Sequence, residues 1–382
     1  MGVRATTANL APSVAVVGVH GHGASHLRRL AEQQLDGSVR IAAVVDPRPV
    51  DGHPDVPDGV RWYADLDQLL ADRAPDVVVL ATPIHTHLAL ASAAMRAGSD
   101  VLLEKPTVTS MAEHAELLDV VAQTARLCQV GFQTYASHAL RVLDRIVADG
   151  EIGTLEGIGA VGTWVRTAAY YGRARWAGRR TLDGVAVVDG VVTNPLAHAV
   201  ATALLLADAS RAEQVADVVV DLHRAHPIEA DDTSSVVVTT DTGLRVGAGL
   251  TVCAPGRSPA RVVLYGSHGT ATLFYETDDI EVDGRRGRRR IGSTRGDLLT
   301  NLLDVRAGRA DALCADVAST GGFMRVLDAV RTAPDPAPIA DEWLDRRGTG
   351  DEAWPVVADV EAWCERAGRE QRTFTQLGAP WA

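Results

Sequence analysis

Of the 37 lysines and arginines in this 382-residue chain, Lys105 is the only lysine. Arginine stays protonated at any useful pH, whereas a lysine ammonium is compact and titrates readily when burial or neighbours shift it from about 10.4. A chain that uses arginine everywhere else therefore marks position 105 as one that requires an ammonium, suited to orienting an oxygen and stabilising charge that develops on it. The second candidate is His198, four residues after Asn194. Asn194 followed by Pro195 predicts an N-cap and a first helical turn, which places His198 one turn into a helix on the same face as Asn194. Histidine can take and return a proton near neutrality, whereas the Asn194 amide cannot. Asn194 reads equally as a cap or as a substrate contact, and His198 as an acid/base group or as a packed core histidine.

The segment Gly18 to Gly23, GVHGHG, follows a short apolar run and opens a helix. That is where a dinucleotide fold sets a pyrophosphate on helix N-terminal amides. A G-x-G-x-x-G pattern needs glycine at 20, and this chain has His20 with Gly21 beside it. Either the imidazole points away or the turn shifts to use Gly21. Asp46 ends the next apolar run, where a carboxylate can accept hydrogen bonds from a ribose diol and repel a 2′-phosphate. The expected cofactor is NAD, with NADP less favoured, although Arg48 could meet a 2′-phosphate. His20 with His22, or His85 with His87, could be drawn as metal pairs, but no cysteine or carboxylate stands at ligand spacing, so no metal is expected.

These residues need a scaffold, and the apolar pattern supplies one. SVAVVG, IAAVVD, DVVVLAT, DVLLEK and LCQVGF read as buried strands, alternating with helical periodicity at Leu27 to Leu35, Leu66 to Leu70 and Leu88 to Ala97. Ser110 and Glu113 form a capping box for a further helix. This is the signature of a doubly wound parallel sheet over residues 13–132, preceded by a flexible start over residues 1–12. Beyond about Gly153 longer alternating strands appear, among them TLEGIGAVGTW, SSVVVTTD and ARVVLYG. They predict an α+β second domain over residues 133–382, built on an open, mostly antiparallel sheet with one helix at Asn194 to Leu206 and more towards the end. An open sheet face seeks a partner, so a homodimer or homotetramer is expected.

The net charge of −12 disfavours nucleic acid and anionic membrane surfaces. The arginine run at Gly284 to Arg290 fits a solvated hairpin tip better than a nucleic-acid patch. The apolar runs are short, no signal-peptide core opens the chain, and Cys128, Cys253, Cys314 and Cys364 lie far apart, which fits a cytoplasmic protein without disulfides.

The glycine turn, TPIHTH over Thr82 to His87, the triplet Glu104-Lys105-Pro106 and the downstream Asn194-x-x-x-His198 together resemble the Gfo/Idh/MocA oxidoreductases. VGFQ (Val130 to Gln133) followed by GEIG (Gly150 to Gly153) resembles that family's passage into its second domain. The resemblance implies a Rossmann domain in which Gly18, His20, Gly21, Gly23, Asp46, Thr82, Pro83 and Glu104 hold the dinucleotide and His87 lines the nicotinamide pocket. It implies that Lys105 touches both nicotinamide and substrate hydroxyl, with a cis Lys105-Pro106 peptide. Family members usually carry aspartate where Asn194 stands. Tyr135, Tyr171, Arg173, Trp176 and Arg179 fall in or near segments that face the substrate in such enzymes. The function expected is hydride transfer to or from a hydroxyl or keto carbon of a sugar, inositol or related polyol. The alternatives are a redox-neutral epimerase or glycoside-cleaving enzyme with tightly bound NAD, and a non-catalytic nucleotide sensor on the same fold.

Overall fold

The computed structural model describes residues 11–382. The expected flexible start falls mainly on residues 1–10, which lie outside the described residues.

The chain divides into two compact units, one comprising residues up to Glu104 together with Glu116–Gln129, the other Lys105–Ala115 together with Val130–Ala382. The first alternates β1 (Ser13–Val17), α1 (Ala24–Leu35), β2 (Arg40–Val45), β3 (Arg61–Tyr63), α2 (Leu66–Arg73), β4 (Val77–Leu80), α3 (His87–Arg96) and β5 (Asp100–Leu103), and holds most of α4 (Met111–Thr124) and of β6 (Cys128–Val130). The strands order as β3-β2-β1-β4-β5-β6, and the neighbours around β1 run parallel. Every residue of β1, β4 and β5 is buried, as expected for strands covered on both faces. The chain leaves β1 toward β2 and returns to β4 on the other side, so the crevice at the carboxyl ends of β1 and β4 is the topological switch point where such sheets take ligands.

Residues 105–115 fall within the expected first domain but pack with the second unit. Thr107 Oγ1 lies 2.8 Å from Thr320 Oγ1, and His114 Nε2 lies 2.9 Å from the Val317 carbonyl. The capping box is also modified, because Ser110 accepts from Glu113 N but the Glu113 carboxylate reaches back to Thr109.

In the second unit α5 (Ala139–Ala148) leads to β7 (Leu155–Thr163), α6 (Ala168–Gly172), the short pair β8 (Thr181–Leu182) and β9 (Val185–Ala186), and α7 (Ala197–Leu206). Strands β10 (Val215–Arg224), β11 (Thr233–Thr240), β12 (Arg245–Thr251), β13 (Arg261–Gly266), β14 (Gly269–Phe274), β15 (Asp279–Gly284) and β16 (Gly287–Ile291) follow. Then come α8 (Leu298–Arg306), α9 (Gly321–Thr332), β17 (Ala337–Pro338), β18 (Leu344–Arg347), β19 (Trp354–Val357), α10 (Val360–Glu370) and α11 (Phe374–Leu377). Nine strands form one sheet ordered β16-β15-β14-β13-β7-β12-β11-β10-β17, antiparallel except where β7 meets β12 and β10 meets β17. Arg285 and Arg286 turn the β15–β16 hairpin, and Arg286, Arg289 and Arg290 pair with Asp149, Glu151 and Asp279, so three of the run's five arginines are matched by the chain's own acids.

Helices cover the sheet at its centre. Cβ atoms built on Gly159, Gly247 and Gly249 would stand 2.7 Å from the Gly368 carbonyl, 2.5 Å from the Ala367 carbonyl and 2.3 Å from the Cys364 carbonyl. The glycines let α10 lie directly on β7 and β12. On the other face a Cβ at Gly162 would meet Leu196 at 2.6 Å, just before α7. Among the described residues no helix is long and apolar enough to cross a membrane.

Candidate functional site

The glycine turn in the first unit shows why its glycines stand where they do. Gly18 has φ +88°, and a Cβ there would lie 2.4 Å from the Ala81 carbonyl oxygen. A Cβ on Gly23 would lie 1.9 Å from the Gly18 carbonyl oxygen, whereas one on Gly21 would face open space. Of the two accommodations of His20, the structure shows the first: its Nε2 donates to the Pro49 carbonyl at 3.1 Å and its ring packs edge-on against His53. The turn delivers the chain into α1, whose N-terminus has no side-chain cap and no acid in its first turn. That combination fits a dinucleotide pyrophosphate, which would supply the missing acceptors.

Asp46 is more buried than a ribose-reading carboxylate need be. Its Oδ2 accepts from Val19 N at 2.9 Å and His20 N at 3.4 Å, and its Oδ1 from Arg48 N at 3.0 Å. Burial alone would raise its pKa, but these amides outweigh burial and hold it below the ordinary value. As placed, Asp46 braces the glycine turn, with Arg48 across it. Thr82 and Pro83 follow β4, and Thr82 accepts a hydrogen bond from Thr86 at 2.8 Å. His87 corrects the expectation that it lines a pocket: it is buried and its Nε2 lies 2.9 Å from the Thr82 carbonyl, so it fixes the Thr82 turn from inside.

Glu104 closes β5 with its amide on the Leu80 carbonyl. Its Oε1 receives His26 Nε2 at 2.8 Å and His22 Nε2 at 3.3 Å. Burial raises its pKa, yet the two imidazoles outweigh this and hold the carboxyl well below the usual carboxylate range. A carboxylate distant in sequence thus stands beside His22 after all, and it pairs that histidine with His26, not with His20.

The second unit holds the other half of the candidate residues. The Lys105-Pro106 peptide is cis. Lys105 Nζ donates to Asn194 Oδ1 at 2.7 Å and to the Asn194 carbonyl at 3.2 Å. Asn194 Nδ2 in turn donates to Asp189 Oδ1 at 2.5 Å. Asp189 is buried and also accepts from Gly178 N at 2.7 Å, with Arg173 at 3.6 Å. Burial raises the Asp189 pKa; Gly178, Asn194, Arg173 and Lys105 offset only part of that rise. Asn194 is therefore not the helix cap: α7 begins at Ala197 after Leu196, and the amide links an ammonium to a carboxylate. Sequence reasoning missed Asp189, although it stands only five residues before Asn194; its place behind the ammonium appears once Lys105, distant in sequence, lies on Asn194. His198 is the second residue of α7, packed edge-on against Phe132 at 5.7 Å between ring centres, with Tyr275 at 6.5 Å.

The remaining substrate candidates separate. Tyr135 is buried, stacked on Phe132, and donates its hydroxyl to the Ala201 carbonyl at 3.2 Å; burial pushes its pKa up. This corrects the expectation of a substrate contact, since the hydroxyl is spent on α7. Arg179 is exposed and paired with Glu229 at 2.6 Å. Trp176 is half-buried beneath the Arg173 guanidinium, which also lies 3.5 Å from the Tyr170 ring centre, so Arg173 ties an aromatic group to Asp189. Tyr171 packs on His226 at 4.9 Å.

Residues 13–132 match the model of an oxidoreductase family with an NAD-binding Rossmann fold, and residues 140–272 match the GFO/IDH/MocA C-terminal domain. The chain belongs to the Gfo/Idh/MocA oxidoreductase family. Its Rossmann unit is NAD-binding, and the glycine turn described above fits that cofactor. Among curated relatives of this family member, inositol 2-dehydrogenase 1 of Saccharopolyspora erythraea is 35% identical over 144 residues, 37% of this chain and 42% of the relative. The scyllo-inositol 2-dehydrogenase (NAD(+)) of Bacillus subtilis is 32% identical over 93 residues, 24% of this chain and 27% of the relative. The chain thus aligns with less than half the length of these relatives. Among solved structures, the WlbA dehydrogenase of Bordetella pertussis, in complex with NADH and UDP-GlcNAcA, superposes with a TM-score of 0.69 at 20% identity, covering 84% of this chain and 95% of that one. UDP-N-acetylglucosamine 3-dehydrogenase GnnA of Acidithiobacillus ferrooxidans gives 0.67 at 18%, covering 84% and 97%. At these identities the likeness speaks for the fold.

Proposed function

We propose that this family member is an NAD-dependent oxidoreductase that transfers hydride to or from a hydroxyl or keto carbon of a sugar, inositol or related polyol. The observation that carries the reading is the chain's only lysine, held by Asn194 and backed through it by the buried Asp189. NAD, when bound, supplies the hydride acceptor or donor. In oxidation the Lys105 ammonium exchanges an Asn194 hydrogen bond for one to the substrate hydroxyl oxygen, His198 takes the hydroxyl proton, and the carbon gives up its hydride to become a carbonyl. Asn194 orients the ammonium, Asp189 orients Asn194, and Phe132 packs against His198 to limit its tilt. In reduction His198 returns the proton. The inositol and UDP-sugar dehydrogenases named above support a polyhydroxylated substrate, and the Arg173-Tyr170-Trp176 cluster offers guanidinium and aromatic faces suited to one.

The chain's cysteines are free and mostly buried thiols, which supports a cytoplasmic reading. A homodimer or homotetramer remains the expected assembly, for which sheet surface that α10 leaves uncovered is one available face. The test of function is native mass spectrometry of the full chain, followed by a panel of inositols, sugars and nucleotide sugars with NAD, watched by nicotinamide absorbance. Substrate-dependent absorbance change supports the dehydrogenase. Retained NAD with substrate conversion but no net absorbance change would move the reading to a redox-neutral enzyme. NAD binding with no conversion of any kind would favour a sensor.

A further inference from the structure

Among the described residues, two groups of ligand-type side chains include none of Lys105, Asn194 and His198. His226, Asp232 and Cys253 are buried in the second unit, but His226 Nδ1 lies 2.9 Å from Asp232 and its Nε2 3.0 Å from the Arg166 carbonyl. Burial pushes the Cys253 thiol well up. Both ring nitrogens are engaged and the thiol is kept protonated, so this group is a hydrogen-bonded core.

The other group differs in composition and in access. His22 ends the glycine turn and His26 lies in α1, four residues on, so the two rings lie on one helical face with centres 5.4 Å apart. Both present Nε2 to a single oxygen, Oε1 of Glu104, at 3.3 and 2.8 Å. All three ligand atoms fall within 4.8 Å of one another. Ligand atoms around a tetrahedral ion at 2.0–2.1 Å sit about 3.3–3.4 Å apart, so a relaxation of roughly half an ångström between His26 and Glu104 opens room for one. Two imidazoles and a carboxylate are borderline ligands that suit zinc-class ions, whereas magnesium and calcium prefer all-oxygen sets. The side chains of His26 and Glu104 are 13% and 12% exposed but that of His22 is 55% exposed, so an ion can reach the inner pair from the His22 side.

We propose that His22, His26 and Glu104 form a binding site for one zinc-class divalent cation, with a position left open to water or to an added anion. The three ligands come from the glycine turn, the first turn of α1 and the end of β5, three segments already fixed by the sheet. Spacing in the sequence could pair the histidines only with each other; the carboxylate arrives from the far side of the sheet's connectivity.

The experiment uses untagged full chain, stripped with chelator and titrated with Co2+ and then Zn2+, followed by visible cobalt absorption and by calorimetry. The wild type takes up one equivalent of Co2+ with visible d–d bands, and Zn2+ displaces it. His22→Ala, at an exposed position, and His26→Gln each weaken uptake by more than the ~10–100-fold that loss of an outer-shell partner costs. His268→Ala, which removes an exposed histidine of the second unit, leaves uptake unchanged. Absence of saturable one-to-one uptake in the wild type would overturn the site, as would uptake undiminished in His22→Ala. A cobalt–thiolate charge-transfer band would place the ion on a cysteine instead of this group and overturn it equally.

Discussion

An ammonium that donates to Asn194 at 2.7 Å and to the same residue's carbonyl at 3.2 Å is already aimed before any substrate arrives. Its singularity was legible because the chain's composition made lysine a choice. The carboxylate behind it was not legible, although Asp189 stands only five residues before Asn194, because what joins both to the ammonium is the long-range Lys105–Asn194 bond. The same limit applies to His87, which motif matching placed in a pocket and which the structure spends on the Thr82 carbonyl. For His198 the expected outcome of His198→Ala is normal NAD affinity with turnover lowered about a hundredfold to ten-thousandfold, the usual contribution of a positioned base. Titration of NAD beside initial rates on the best substrate checks it. Unchanged turnover would leave His198 as a packing residue beside Phe132 and Tyr275.

At the scale of elements, the buried strands announced themselves because a parallel sheet covered on both faces demands continuous apolar runs, as in β1, β4 and β5. Glycines inside β7 and β12 carried a different message that alternation alone hides. Gly159, Gly247 and Gly249 read as weak strand residues, yet they form the seat of α10. A side chain at 249 would collide with Cys364 backbone at 2.3 and 2.5 Å, where nothing flexible can give way. Gly249→Val should therefore lift α10 and destabilise the chain by about 1–3 kcal/mol or more, the range for overpacked cores. Thermal unfolding of the variant checks this, and a melting temperature equal to wild type would mean that α10 is not seated on the stripe. Gly243→Ala, at a turn with open space but φ +86°, is a control for strain without collision.

For the whole molecule, two domains were legible from the change of strand texture, but the division within the Glu104-Lys105-Pro106 triplet was not. Consecutive residues of that triplet work in different units, Glu104 with His22 and His26, Lys105 with Asn194. Stability should also depend on a carboxylate that sequence reading passed over. Asp221 on β10 contacts His223 at 2.8 Å and accepts from Thr375 N at 2.8 Å, tying α11 to the sheet. Burial raises its pKa, but these hydrogen bonds prevail and lower it below the ordinary value. With the folded-state pKa below the unfolded one, the stabilisation is complete above the ordinary carboxylate value of about 3.9 and is lost as pH falls through the folded value. Asp221→Asn should therefore lower the melting temperature near neutrality and narrow its gap to wild type as pH falls below about 4. A gap that stays constant from neutral to acid pH would remove Asp221 from the account.

The most direct measurement compares wild type with Lys105→Arg for turnover, NAD affinity and thermal unfolding, using the best substrate of the panel. Arginine keeps the charge and is used at every other basic position. Its planar fork cannot occupy the point from which one ammonium reaches both oxygens of Asn194, and a misplacement near 1 Å costs about a hundredfold in rate. The account predicts turnover reduced by about that factor or more, with NAD affinity retained and a folded protein. Near-normal turnover in a folded Lys105→Arg variant would contradict it.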